Sequence, residues 1–150
     1  MLEPLYRKVK DVGAEFIVDE IGEVRFLGLS VFKTVNGAYT GNVLASEADK
    51  RTMIGRYIDL ALLDYNVKHI MQILSPYLGV YVGAFGVDMM IVTDEHNGRF
   101  LLHPCVELNL RRTMGHVALA ISSQIHDSYR IMNVCYNGRY RFCIRKTARL

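Results

Sequence analysis

The chain has 150 residues, of which 51% are hydrophobic and 22% charged, with a formal net charge of +3. That balance excludes a disordered chain, and it is too weakly basic to argue for nucleic acid by itself. No apolar run reaches the ~18–20 residues of a membrane-spanning helix, and the opening MLEPLYRKVKD lacks the apolar centre of a secretory signal.

The first strands are expected in AEFIVD (14–19) and VRFLGLSVF (24–32), runs rich in β-branched and aromatic residues around a short turn at Gly22. KTVNGAYTGNVLA (33–45) is rich in Gly, Asn and Thr and reads as a loop. Ser46, with Asp49 three residues on, resembles a capping box that opens a short helix over EADKRTMIGRY. Leu63, Val67, Ile70, Met71 and Leu74 recur at helical spacing, predicting an amphipathic helix from Leu60 to Leu78 that Pro76 and Gly79 end.

VYVGAFGVDMMIV (80–92) and GRFLLHPCVELN (98–109) are expected strands about Asn97-Gly98, a strong hairpin signal. A helix starting near Thr113 covers MGHVALAISSQIH, and a last hairpin turns about Asn137-Gly138. No repeat, low-complexity tract or linker divides the chain, so one folded unit of residues 1–150 is expected. The order of elements predicts an antiparallel α+β domain rather than a βαβ winding. Cys105, Cys135 and Cys143 show no close paired spacing, which argues against a disulfide framework or zinc knuckle and for a reducing cytoplasm.

The chemistry concentrates in HPCVELNLRRTMGH (103–116). Side chains alternate along a strand, so Glu107 and Asn109 share a face. A two-residue turn at Asn97-Gly98 would set Asp88 directly across from Glu107. Two facing carboxylates repel unless something neutralises them, and oxygen ligands without His or Cys suit a hard cation such as Mg²⁺. Arg111 and Arg112, just past the strand, could hold an anionic phosphoryl or acyl-phosphate group by forked hydrogen bonds. The competing reading is a solvated Asp and Glu on neighbouring strands.

GVDMMIV, a hairpin, HPCVELNLRR and a helix together resemble the C-terminal half of the ATP-grasp superfamily. Its members are ATP-dependent carboxylate–amine or carboxylate–thiol ligases that pass through an acyl-phosphate. The Glu-x-Asn-x-Arg signature is matched by Glu107, Asn109 and Arg111, and Asp88 stands where the family has an acid on the preceding strand. The resemblance implies ATP and Mg²⁺ as cofactors, with Asp88, Glu107 and Asn109 as metal ligands. It implies Arg111 as the phosphoryl anchor; Arg112 and His116 lie beyond the signature. LEPLY looks like the family's hinge, which would put Glu3 and Leu5 at the nucleotide, with Lys33 directed at the same site.

The family's phosphate-covering lysines and glycine-rich loop would lie before residue 1. A partial ATP-grasp unit, completed by an upstream segment or second chain, is therefore the expectation. Small-molecule carboxylate and amine or thiol substrates go with it.

Other residues invite blander readings. His103 is expected to pack or hydrogen-bond rather than ligate, and Met89, Met90, Met114 and Met132 to fill the core. The C-terminal segment has Arg139 and Arg141 on one strand face and Tyr140 and Phe142 on the other. A nucleic-acid role for it is a minor alternative, because no aromatic platform sits among the arginines. A scaffold that keeps the fold without the chemistry is another.

Overall fold

Strand β1 (Arg7–Val18) carries Val12, Ala14, Phe16 and Val18 on one side and Asp11, Gly13 and Glu15 on the other. That alternation makes it the central strand of a sheet with two unlike faces. The computed structural model describes residues 6–125 and 129–147. In it β1 lies between β2 (Val24–Val35) and β4 (Gly83–Thr93), within a seven-stranded sheet of order β5-β4-β1-β2-β3-β6-β7. All pairings are antiparallel, as an α+β reading requires.

One face is covered by α1 (Glu47–Ile54) and α2 (Leu60–Leu78). Its core joins Phe16, Leu29, Val31, Ile54, Leu63, Phe85, Val87, Met89 and Ile91. Phe16 and Phe85 stack at a centroid distance of 4.8 Å, and truncating such a buried ring costs about 3–5 kcal/mol. α3 (Met114–Ser122) packs on the opposite face and makes a smaller cluster with Leu44 and Met132. The rest of that face is the wall of a cleft.

The short helix α1 completes the sheet where β3 (Ala38–Leu44) does not reach. β3 pairs with β2 only over Phe32–Val35, so Leu29 has no strand partner on its outer side. Its N–H donates to the Glu47 carboxylate at 3.1 Å, and its carbonyl accepts from Lys50 Nζ at 2.6 Å. Lys50, only 2% exposed, also pairs with Glu47 at 2.9 Å. Two backbone groups are thus satisfied by one ion pair whose lysine is buried and whose carboxylate is partly exposed. Ser46 caps α1 as expected, accepting from Asp49 N at 3.1 Å.

Several expectations change. The first strand begins seven residues before Ala14, at Arg7. The loop expected over 33–45 is a second hairpin. Asn36 and Gly37 both have positive φ, 51° and 77°, the signature of a two-residue type I′ turn, and β3 follows at once. Pro76 stays inside α2, at the cost of one late backbone hydrogen bond, and the helix stops at Gly79 with φ 52°. The strand expected from Val80 is β4 and starts at Gly83, and α3 ends at Ser122 rather than running through to His126, which lies outside the described residues. The C-terminal hairpin of β6 (Arg130–Tyr136) and β7 (Tyr140–Lys146) forms about Asn137-Gly138 and joins the sheet on β3.

Candidate functional site

The β4–β5 ribbon, with β5 spanning Phe100–Asn109, pairs Asp88 with Glu107 and Gly86 with Asn109. The pairing is as expected, but its route differs. The turn is a longer loop, closed by hydrogen bonds from Asp94 N to Arg99 O and from Gly98 N to Asp94 O, both 2.8 Å. Thr93 therefore pairs with Phe100 rather than Leu102, two residues out of the expected step.

A bulge restores the step. Between Asp88↔Glu107 and Met90↔His103, Met89 alone faces Pro104, Cys105 and Val106. Pro104 has no N–H to give a ladder, and β5 is an edge strand, which is where a bulge and a proline are tolerated. The correction is even, so Glu107 and Asn109 keep their face; an odd one would have turned both away from the cleft.

The cleft, about 390 Å³, is lined by residues that include Asp11, Glu15, Asn42, Asp88, Glu107 and Asn109, with Arg111 at its rim. Asn109 is buried and its amide is bracketed. Its Nδ2 donates to Asp88 Oδ2 at 3.4 Å, while its Oδ1 accepts from Arg111 Nη2 at 2.9 Å. Asp88 has its pKa pushed up to about 6 by burial, then by the charges of Glu15, Glu107 and Asp11, with Arg111 opposing. Carboxylates crowded in this way are electrostatically short of positive charge, and a hard cation between them would supply it. As a ligand to that cation, Asn109 would need its amide turned to bring Oδ1 toward the carboxylates. The donor set, two carboxylates and an amide, fits Mg²⁺. Among the described residues no group of three or more His, Cys, Asp or Glu side chains is arranged to hold a metal.

The floor of the cleft is a buried polar cluster. Glu15, 1% exposed, lies beneath the first turn of α3. Its carboxylate accepts from Ser30 Oγ at 2.9 Å and Thr113 Oγ1 at 2.7 Å, and lies 3.0 Å from His116 Nδ1. Gly115 permits this approach, since a Cβ there would fall 1.8 Å from Glu15 Oε1. The helix N-terminus adds its partial positive charge. His116 Nε2 donates to the Phe16 carbonyl at 3.1 Å. Burial works to lower the His116 pKa, but hydrogen bonds to Glu15 and Phe16 outweigh it and hold the ring above its ordinary value. Nδ1 also lies 3.1 Å from the Thr113 N–H. The neutral ring can accept from Thr113, whereas the charged ring donates to Glu15.

The third wall comes from β1, β2 and β3. Asp11 pairs with Lys8 at 2.8 Å and accepts from Thr34 Oγ1 at 2.8 Å. The Tyr39 hydroxyl donates to Asn42 Oδ1. Burial raises the Tyr39 pKa to about 12, so it remains a donor.

No protein-family profile matches the sequence, and no curated protein matches it. Solved structures do match. Pyruvate carboxylase of Rhizobium etli, crystallized without acetyl coenzyme-A, aligns with TM-score 0.57 and 14% identity over 88% of this chain and 15% of its own. An ATP-grasp superfamily protein of Archaeoglobus fulgidus aligns with TM-score 0.50 and 17% identity over 95% of this chain and 47% of its own. The biotin carboxylase domain of the Hydrogenobacter thermophilus 2-oxoglutarate carboxylase gives TM-score 0.50 and 14% identity over 83% and 29%.

The fold is that of the ATP-grasp proteins. This chain spans less than half the length of each of these three neighbours.

In this chain the ribbon and the loop after it bring Asp88, Glu107, Asn109 and Arg111 to one cleft. Arg112 is exposed and does not line it. Lys33 is exposed too, and it is the flanking Phe32 and Thr34 that face the cleft, because alternation sends Lys33 to the other side. Glu3 and Leu5 lie outside the described residues. His103 packs edge-on against Tyr6 at 5.2 Å. Met89 and Met132 are buried core residues, and Met89 borders the cleft together with Met90 and Met114, the last of which also packs on the cluster around Met132. Cys105 sits in the bulge, exposed, its thiol pushed up by partial burial and by Asp88, the reverse of what a nucleophile needs.

Sequence reasoning missed Asp11, Glu15, Ser30 and Asn42. The signal for Glu15 was there: a charged residue in the middle of the apolar run VGAEFIV. For Asn42 the signal was hidden by reading its strand as a loop.

Proposed function

We propose that this chain supplies the metal-bearing half of an ATP-dependent ligase site. Its reaction would activate a carboxylate as acyl-phosphate and then pass the acyl group to an amine or thiol. The observation that carries the reading is the direct pairing of Asp88 with Glu107, with Asn109 next on the same face of the strand. In support, the 2-oxoglutarate carboxylase domain of the same fold is in complex with MgADP and bicarbonate.

Asp88, Glu107 and Asn109 would hold Mg²⁺, which when bound neutralises charge on the nucleotide phosphates. Arg111, tethered to Asn109, would anchor the transferred phosphoryl group through its free N–H donors. Glu15, Thr113 and His116 fix α3 on the sheet and so set the loop that carries Arg111. They position the site and do not touch the reacting atoms. The nucleotide-covering lobe would come from a second polypeptide or an adjoining segment, whose closure excludes water from the acyl-phosphate. The proposed setting is the cytoplasm; among the described residues no helix is long and apolar enough to cross a membrane.

Calorimetry with MgADP and paramagnetic broadening by Mn²⁺ test the reading together. The expected result is broadening centred on Asp88, Glu107 and Asn109 that Glu107→Ala removes, with MgADP affinity falling about tenfold or more, as for loss of one charged ligand. Equal responses in the native chain and Glu107→Ala would overturn it.

A further inference from the structure

The basic C-terminal ribbon takes no part in the site described above. β7 is an edge strand that pairs with β6 alone among the described residues. Hydrogen bonds from Asn137 N to Arg139 O and from Thr147 N to Tyr129 O show which residues turn inward. With the antiparallel period of two, Arg141, Cys143 and Arg145 bond to β6, and the N–H and C=O groups of Tyr140, Phe142 and Ile144 point outward.

Among the described residues this edge has no bulge, proline or covering loop to protect it. Its side chains are also sorted. Tyr140 is 80% exposed and Phe142 53%, and with Ile144 they share the face of Val134 and Met132, the side of the sheet that carries α3. Arg141 and Arg145 share the other face, and no acid occurs anywhere in 129–150.

We infer that β7 is a docking edge for an extended protein segment that alternates acidic and apolar residues, added to the sheet as an eighth strand. Backbone groups of the incoming strand bond to Tyr140, Phe142 and Ile144. Its acidic side chains fall beside Arg141 and Arg145, and its apolar ones beside Phe142 and Ile144. A second copy of this chain is disfavoured: two-fold pairing through Cys143 sets Arg141 of each copy against Arg145 of the other, and in any register two cationic strands meet with no acid between them. A nucleic-acid strand is disfavoured because the rings lie on the face opposite the arginines.

The test is an anisotropy titration of the whole chain with a fluorescent peptide as long as β7, 7 residues, alternating Glu and Val. A Lys/Val peptide and an oligothymidine serve as competitors. Saturable binding of the Glu/Val peptide is expected, weakened about tenfold by Arg141→Glu with Arg145→Glu. Phe142→Pro should abolish it, since proline deletes an outward N–H that the fold itself does not use. Should that variant misfold, hydrogen exchange on the native chain decides: the peptide must slow the amides of Tyr140, Phe142 and Ile144. Binding that leaves those amides unprotected, concentration-dependent dimerisation through this edge, or displacement by oligothymidine overturns the inference.

Discussion

The two faces of the sheet are held by different forces, although β1 contributes to both with residues one position apart. Toward α1 and α2 it sends Val12, Ala14, Phe16 and Val18, which need only to be dry. Toward the cleft it sends Asp11 and Glu15, which need specific partners. Stability on the first face comes from apolar burial and is indifferent to pH. On the second it comes from satisfied charge, and pH rewrites it.

The largest effect is expected on the dry face. Phe16→Ala removes a ring stacked on Phe85 and should destabilise by about 3–5 kcal/mol. Urea melts should show the same loss in acid and in alkali.

Next comes the cluster under α3. His116→Ala leaves Glu15 with only Ser30 and Thr113 as partners, a loss of about 2–3 kcal/mol. Here pH matters. The folded-state pKa of His116 is raised, so its contribution is full below the ordinary histidine value and fades as pH rises through the folded one. The gap between native and variant melts should therefore narrow on the alkaline side.

Asp88→Asn should act in the opposite direction. The folded pKa of about 6 exceeds the unfolded value of 3.8. The protonated group therefore favours folding, and stability is lost as pH rises through about 6. Removing the charge should stabilise the chain by roughly 1–2 kcal/mol near pH 8, allowing for solvent screening, and by roughly nothing near pH 4. A pH-independent gain would mean that packing, not charge, limits this position.

Smallest of all, Glu107→Ala should change stability by no more than about 0.5 kcal/mol, because the residue is exposed. A large stability loss there would place Glu107 on the structural side of the comparison rather than the ligand-binding side.

How much of this could be read from residues varied with the range of the interaction. α2 follows from periodicity, and Ser46 and Thr113 mark helix starts because a cap is a contact within three residues. Asn36-Gly37 was equally local, yet the Gly and Thr around it obscured β3, a strand that exists because β2 and β6 flank it. The Asp88–Glu107 pairing was legible only in outcome. A longer loop and a bulge, each worth two residues, cancel, and nothing in the turn dipeptide announces either.

By itself the sequence determined the α+β class, the helices, the ribbon that carries Glu107 and Asn109, and their shared face, since all of these rest on periods of 2 and 3.6 residues. The tertiary structure alone decided which acids share a cleft. Glu15 meets Thr113 and His116 across 98 and 101 positions of chain, and Lys33 misses the cleft that its neighbours line. Periodicity says which way a side chain points, whereas only the packing of distant strands and α3 says what it meets there.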